Sequence, residues 1–289
     1  MIDTIANVLL QGILLGGLYA LFALGLSFSM GVMRFVNIAH GDFIVLVSFL
    51  LLVLTTALGL NVFVALILVL PVTFAGGFLL QRFLLQRAAG SDVLLPLLIT
   101  FGLSIIIQNG LLQTFGADSH VLAGAGTLQT ASIALTSGIY IGVLPLLTLL
   151  TAVALVLGLD RLLNYTRLGS HIRAVADDVA AADLIGLSSG RVYALAMGIV
   201  GVTVAIAACF MGLNMNFDPT SGPDRLLIAF EAVVLGGLGS LWGTLAGGIV
   251  LGIAQTVGAH FDTAWQLIIG HVVFLVLFLL RPQGLFPKY

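Results

Sequence analysis

Apolar runs of bilayer-crossing length follow one another along the whole chain, at about 5–29, 43–58, 61–81, 93–115, 138–159, 191–215, 226–239, 243–258 and 264–280. About 20 such residues in a helix cover the hydrocarbon core. Lipid offers no partner to backbone N–H and C=O groups, so runs of this kind must be helical. The expectation is an all-α integral membrane protein with about nine transmembrane helices, two of them short. Composition agrees, because only 8% of residues are charged and 60% are hydrophobic, against roughly 25% charged in a soluble domain. No stretch remains for a sizeable soluble domain, so residues 1–289 read as one transmembrane domain. The first run is too long for a secretory signal and Asp3 is the only charge before it, which reads as a retained span.

Basic residues mark cytoplasmic loops. Arg82 and Arg87 share one loop, Arg161, Arg167, Arg173 and Arg191 another, and Arg281 with Lys288 sits in the tail. The segment 116–137 has no Lys or Arg, and 216–225 has two Asp against one Arg, so both are expected outside. Nine crossings satisfy every loop, with the N-terminus outside and the C-terminus cytoplasmic. Eight would break the pattern, and seven also fit if 226–258 forms a re-entrant hairpin.

Glycines recur at four-residue spacing at Gly12 and Gly16, at Gly239, Gly243 and Gly247, and at Gly248 and Gly252. Small residues so spaced let helix backbones approach closely. The stretch GGLGSLWGTLAGG (236–248) reads as a tight helix-breaking turn between two short spans.

The first dense polar cluster is RFVNIAHGDF (34–43). A helix over 5–29 is about 37 Å long, whereas one over 43–58 reaches only about 24 Å, short of the roughly 30 Å core. The second helix is therefore expected to begin below the bilayer surface, after a re-entrant break in which Gly41 permits the turn and His40 and Asp42 hold the hinge. Polar groups at membrane depth are costly unless they meet water or partners. On that ground Asn37, His40, Asp42, Asn214, Asn216 and Glu231 are the candidates for a substrate pathway, each weighed against a purely structural hydrogen bond.

Catalytic and metal signatures are lacking: there is no HExxH, no GxSxG and no cysteine pair with metal-ligand spacing, and Cys209 stands alone in an apolar run. The five histidines, at 40, 120, 171, 260 and 271, fall in different segments. Lys288 is the only lysine, so the chain cannot build the phosphate-binding loop that requires a GK[ST] lysine. Any nucleotide that drives the protein must sit on another subunit. No basic patch suggests nucleic acid.

The longest polar stretch is RLLNYTRLGSHIRAVADDVAAADLIGLSSGRV (161–192). Its centre, 171–185, is expected to form one amphipathic helix, capped by Ser170 and stopped by Gly186, with Ser188 or Ser189 capping the next span. Ile172, Val175, Val179 and Ala182 would share its apolar face, with Asp177 and Asp178 toward the other. Spacing alone allows either a helix lying on the membrane or a docking surface for a partner.

Four stretches in order resemble permease subunits of ATP-binding-cassette importers for branched-chain amino acids and related polar solutes: GLYALFALGLSFSMGVMRFVNIAHGDF (17–43), IRAVADDVAAADLIGLSSGRVYAL (172–195), AFEAVVLGGLGSLWGTLAGGIVLG (229–252) and RPQGLF (281–286). The resemblance implies two inverted helical repeats with broken or re-entrant segments, here 5–115 and 191–280, around a cytoplasmic coupling segment at 161–190. It implies residence in a bacterial cytoplasmic (inner) membrane beside a second homologous permease subunit, two cytoplasmic ATP-binding subunits that hold ATP and Mg, and an external solute-binding protein. Arg173, Asp177, Asp178, Ala181, Ala182 and Gly186 would belong to the segment that docks on the ATPase. The chain itself would hold no cofactor and no metal. Two positions depart from the family pattern, Trp242 where proline is expected and Gln255 where an acid is expected. Related permeases carry urea, amides or aromatic acids, and Asp42 in HGDF favours the amino-acid type over the urea type. The rivals are a stand-alone channel or facilitator for a small polar solute and, more remotely, an intramembrane enzyme using His40 and Asp42.

Overall fold

The computed structural model describes residues 2–88, 94–136 and 139–286; Lys288, expected in the cytoplasmic tail, lies outside the described residues. Eleven α-helices are described: α1 (Ile2–Met33), α2 (His40–Ala57), α3 (Val62–Phe83), α4 (Leu94–Phe115), α5 (Val143–Tyr165), α6 (Arg167–Asp177), α7 (Val179–Leu184), α8 (Ser189–Asn214), α9 (Gly222–Gly236), α10 (Leu241–Phe261) and α11 (Trp265–Leu280). A two-stranded antiparallel hairpin, β1 (Ser132–Thr136) and β2 (Ile139–Gly142), precedes α5. The run expected as helix from 138 thus opens as a strand. Ile139, Tyr140 and Ile141 are β-branched or aromatic and pair across the hairpin, and Pro145 sits in the first helical turn, where its missing N–H removes no intrahelical bond.

Each apolar run coincides with a helix. Seven helices, α1 to α5, α8 and α10, are long and apolar enough to cross a membrane. By contrast, α9 has 15 residues and α11 has 16, about 22–24 Å at 1.5 Å per residue and short of the roughly 30 Å core. Burial separates the helices into a core and a shell. In α8 72% of the most apolar window is buried, but in α3 only 17%, which places α1, α8 and α10 inside and leaves the apolar faces of α3, α4 and α11 to lipid or partners.

Close glycine packing builds that core. Along the antiparallel pair α1–α10, a side chain at Gly12 or Gly16 would collide with the backbone at Ile253 or Ile249, and one at Gly252 or Gly248 with Gly12 or Gly16. A second antiparallel pair, α3–α8, closes in the same way through Gly77 against Met197 and Gly201 against Thr73. Gly243 and Gly247 turn to the other side of α10, against Gly236 and Ala232 of α9, while Gly239 meets Gly31 of α1. The expected turn spans Gly237 (φ 100°) and Gly239 (φ 76°), and the helix after it is not short but runs for 21 residues. Trp242, where the family pattern has proline, lies in the first turn of α10 and is half exposed, a place where proline is well tolerated. RPQGLF folds back so that Leu285 N–H and Phe286 N–H donate to the carbonyls of Leu235 and Gly236, at 2.8 and 3.0 Å, and these bonds satisfy the C-terminal end of α9.

The amphipathic stretch differs from expectation. It forms two helices rather than one, because Asp178 takes an extended backbone (φ −148°, ψ 108°) and its Oδ1 accepts the Ala181 N–H at 2.9 Å as the N-cap of α7. Thr166, not Ser170, caps α6, its hydroxyl accepting the Gly169 N–H at 3.0 Å. The break rotates Val179 off the apolar face, so Ile172, Val175 and Ala182 are buried while Val179 is 41% exposed. Gly186 ends α7 at φ 86°. The start of α8 is held by Asp183, which accepts both the N–H and the hydroxyl of Ser189.

Candidate functional site

α1 does not stop at 29 but continues to Met33. There Arg34 turns the chain in the left-handed region (φ 56°), and its Nη2 donates to the Ala176 carbonyl of α6 at 2.8 Å. From this end residues 34–39 climb back along α1. His40 Nε2 lies 2.9 Å from the Phe22 carbonyl, eleven residues and roughly 16 Å from the end of α1. A carbonyl only accepts, so Nε2 is the donor and Nδ1 remains an acceptor.

α2 therefore starts far inside the bundle, and at His40 rather than 43. Gly41 is not the turn residue. It sits in the first turn of α2, where a side chain would collide with the Gly222 carbonyl, and one on Gly222 would collide with the Asp42 carboxylate. The N-termini of α2 and α9 meet at this point. α9 gets there by a second return: α8 ends at Asn214, residues 215–221 fold back, and the helix starts at Gly222 with Pro223 in its first turn. The segment 216–225, expected as an outward loop, ends at 221; Asp224 and Arg225 are already helical.

Asn37, His40 and Asp42 are each 1% exposed. Asn37 Oδ1 accepts the Ala39 N–H at 3.1 Å, and Thr100 Oγ1 accepts the Ile38 N–H at 3.2 Å. Asp42 Oδ1 accepts from Gln108 Nε2 at 2.9 Å, and the same amide nitrogen donates to Ser104 Oγ at 3.1 Å. Asp42 thus places its carboxylate beside the positive ends of two helices. Asn37 Nδ2 and Asp42 Oδ2 are buried without a protein partner. Irregular backbone at membrane depth is tolerated only inside protein or beside a water-filled cavity, and a groove of about 380 Å³ between α2, α3, α4 and α8 reaches Asn37 and His40.

The other pathway candidates lie elsewhere. Asn214 Nδ2 donates to Thr148 Oγ1 and the Phe210 carbonyl, tying α8 to α5. Asn216 is exposed on the second return. Glu231 Oε1 lies 2.6 Å from His271 Nδ1, a link between α9 and α11. Gln255, where an acid was expected, accepts a hydrogen bond from Tyr19 Oη of α1. Thr100, Ser104 and Gln108 were missed by sequence reasoning, although their four-residue spacing on an otherwise apolar α4 marks one face. Among the described residues no group of three His, Cys, Asp or Glu is placed to hold a metal ion. At the α6–α7 end, Arg173, Asp177, Asp178, Ala181 and Gly186 are exposed and Ala182 is buried. Leu184 and Ile185 are 89% and 75% exposed.

Comparisons with known proteins agree along the whole chain. The family described as branched-chain amino acid transport system, permease component, matches residues 8–280. The high-affinity branched-chain amino acid transport system permease protein BraD of Pseudomonas aeruginosa is 28% identical, over 97% of this chain and 95% of its own length. The corresponding LivH protein of Escherichia coli K12 is 28% identical, over 96% and 94%. A partial likeness, 30% identity over 40% of this chain and 39% of the relative, joins it to the ribose import permease protein RbsC of the same organism. No solved structure matches.

Proposed function

The chain belongs to the family of branched-chain amino acid transport permease components, and on that premise we propose that it imports branched-chain amino acids, or a closely related small polar solute, across a bacterial cytoplasmic membrane. It is a transport subunit and not an enzyme, with ATP hydrolysis on separate subunits. The working assembly pairs it with a second homologous permease, two cytoplasmic ATP-binding subunits carrying ATP and Mg, and an external solute-binding protein.

Nine crossings, with the N-terminus outside and the C-terminus cytoplasmic, suit the positions of the arginines. Arg34, Arg82, Arg87, Arg161, Arg167, Arg173, Arg191 and Arg281 all belong to the end of the bundle that carries α6 and α7, as the preference of basic residues for the cytoplasm requires. The repeats 5–115 and 191–280 are related by inversion. In support, α1 packs antiparallel on α10 as α8 packs on α3, and each repeat has a long helix, a return and a half-helix starting at mid-depth. Broken helices of this kind flank substrate sites in transporters.

The single observation that carries the reading is the meeting of the α2 and α9 N-termini at Gly41 and Gly222. A joint between two half-helices, packed backbone to backbone, transmits a tilt of one repeat to the other. Asn37, His40 and Asp42 border the path at the joint, with Asn214, Asn216 and Glu231 farther along it. The segment 161–190 couples the joint to the ATPases: α6 touches the end of α1 through Arg34, and α7 offers Leu184 and Ile185 to a partner.

Co-purification with the ATP-binding subunits tests this. Leu184→Arg with Ile185→Arg, or Asp177→Arg with Asp178→Arg, is expected to abolish stable association while leaving the permease folded. Uptake by the permease alone, without any ATPase, would establish the facilitator instead.

A further inference from the structure

The first turn of α9 carries two charges, Asp224 and Arg225, that make no ion-pair contact among the described residues. Its N-terminus abuts Gly41 and Asp42, so Asp224 and Arg225 stand beside the joint of α2 and α9, which the importer reading places at mid-membrane depth. Asp224 is exposed. Arg225 Nη2 donates to the Asn216 carbonyl at a long 3.4 Å, while its Nε is buried without a partner. Among the described residues the one ion pair within 4 Å is His271–Glu231, so neither Asp224 nor Arg225 has an opposite charge in contact. Charges inside a membrane face the bundle interior or a water-filled cavity, pair with one another or with backbone carbonyls, and mark substrate paths.

Neighbouring positions on a helix point about 100° apart, and the two head groups are not in ion-pair contact with each other. A guanidinium is a planar fork that fits a carboxylate, and a carboxylate attracts an ammonium. Leu227, one turn on from Asp224 and on the same side of the helix, is 47% exposed and supplies apolar surface beside it.

We infer that Asp224 and Arg225 bind the zwitterionic head of an α-amino acid in transit, Arg225 taking its carboxylate and Asp224 its ammonium, with Leu227 against the aliphatic side chain. This rests on the importer reading above and assigns the permease a direct part in recognition, beside that of the binding protein. It also explains why a charged first turn is kept on a helix whose other polar side chain, Glu231, is paired with His271.

The test uses the complete complex with its ATPases and binding protein. Cys209 is the sole cysteine and is buried, so a maleimide reports on the thiol introduced by Leu227→Cys. Leucine is expected to slow that labelling. Neither 4-methylpentanoate, which lacks the ammonium, nor isoamylamine, which lacks the carboxylate, should do so. Adding Asp224→Asn or Arg225→Gln should remove the protection and lower ATP-driven leucine uptake by about 30-fold or more, and Asp224→Glu should restore part of both. Asp224 is exposed and its Asn variant nearly isosteric, so the complex should assemble normally, as gel filtration will show. Absence of protection by leucine, equal protection by 4-methylpentanoate, or unchanged uptake in Asp224→Asn overturns the inference while leaving the importer reading intact. A parent complex with no ATP-driven uptake of leucine overturns the branched-chain amino acid reading first.

Discussion

The two returns of the chain perform the same manoeuvre in opposite settings. Residues 34–39 bring α2 to the joint through the interior, and beside the local bond of Asn37 to Ala39 this return, with His40 and Asp42 just beyond, is held by distant partners: Ala176, Phe22, Thr100 and Gln108. Residues 215–221 bring α9 to the same joint from the opposite end, and their polar groups are satisfied locally or by the neighbouring loop. Asp218 Oδ1 accepts the N–H and hydroxyl of Thr220, and Phe217 exchanges two backbone hydrogen bonds with His120. The difference teaches where tolerance lies. The first return depends on the packing of the whole bundle, whereas the second is a turn that could be rebuilt from its own residues.

The strongest challenge to this comparison is a side chain at the shared joint. Gly41→Val or Gly222→Val forces two backbones apart and should cost about 3 kcal/mol, the upper end for overpacking, read as lost yield of folded protein and a lowered Tm in detergent. Asp42→Leu comes next. It strips Gln108 of its acceptor and the two helix ends of their negative partner, for about 2 kcal/mol, and Asp42→Asn should lose much less. A helix start outside both returns calibrates the scale: Asp178→Ala removes the cap of α7, worth about 1 kcal/mol, and should speed hydrogen exchange at Ala181. The smallest effect belongs to the second return, where Asp218→Ala should shift stability by only about 0.5 kcal/mol. If Asp218→Ala matched Asp42→Leu by thermal shift, the contrast between the returns would collapse.

The helices were legible because lipid compels regular backbone wherever the chain is continuously apolar. Gly12, Gly16, Gly248 and Gly252 were legible as close-packing positions from their spacing, but not as one interface, since nothing local says that α1 faces α10. The polar break at 34–43 stood out against its apolar flanks, but the length deficit expected of the second helix did not hold, because α2 starts at His40 and is long enough to cross. The second return did not stand out, because a polar loop between two apolar runs looks the same whether it lies in water or folds back into the bundle. Glu231 and His271 are 40 positions apart and each reads as a lone polar residue, so their pairing is invisible in the chain. The break at Asp178 was hidden by good helix formers on both sides, where one extended residue and its cap outweighed propensity.

What the amino-acid sequence determined by itself was the solvent and the secondary structure: a membrane, helices through it, a basic end, and no lysine with which to build a phosphate loop. Each of these follows from local physics, namely hydropathy, backbone satisfaction and charge. Only the tertiary structure decided that the N-termini of α2 and α9 meet at Gly41 and Gly222, that Asp42 sits between their positive ends, and that Asp224 and Arg225 lie in the first turn beside that joint. Those facts depend on which glycine faces which backbone across hundreds of residues, and no local preference encodes that choice.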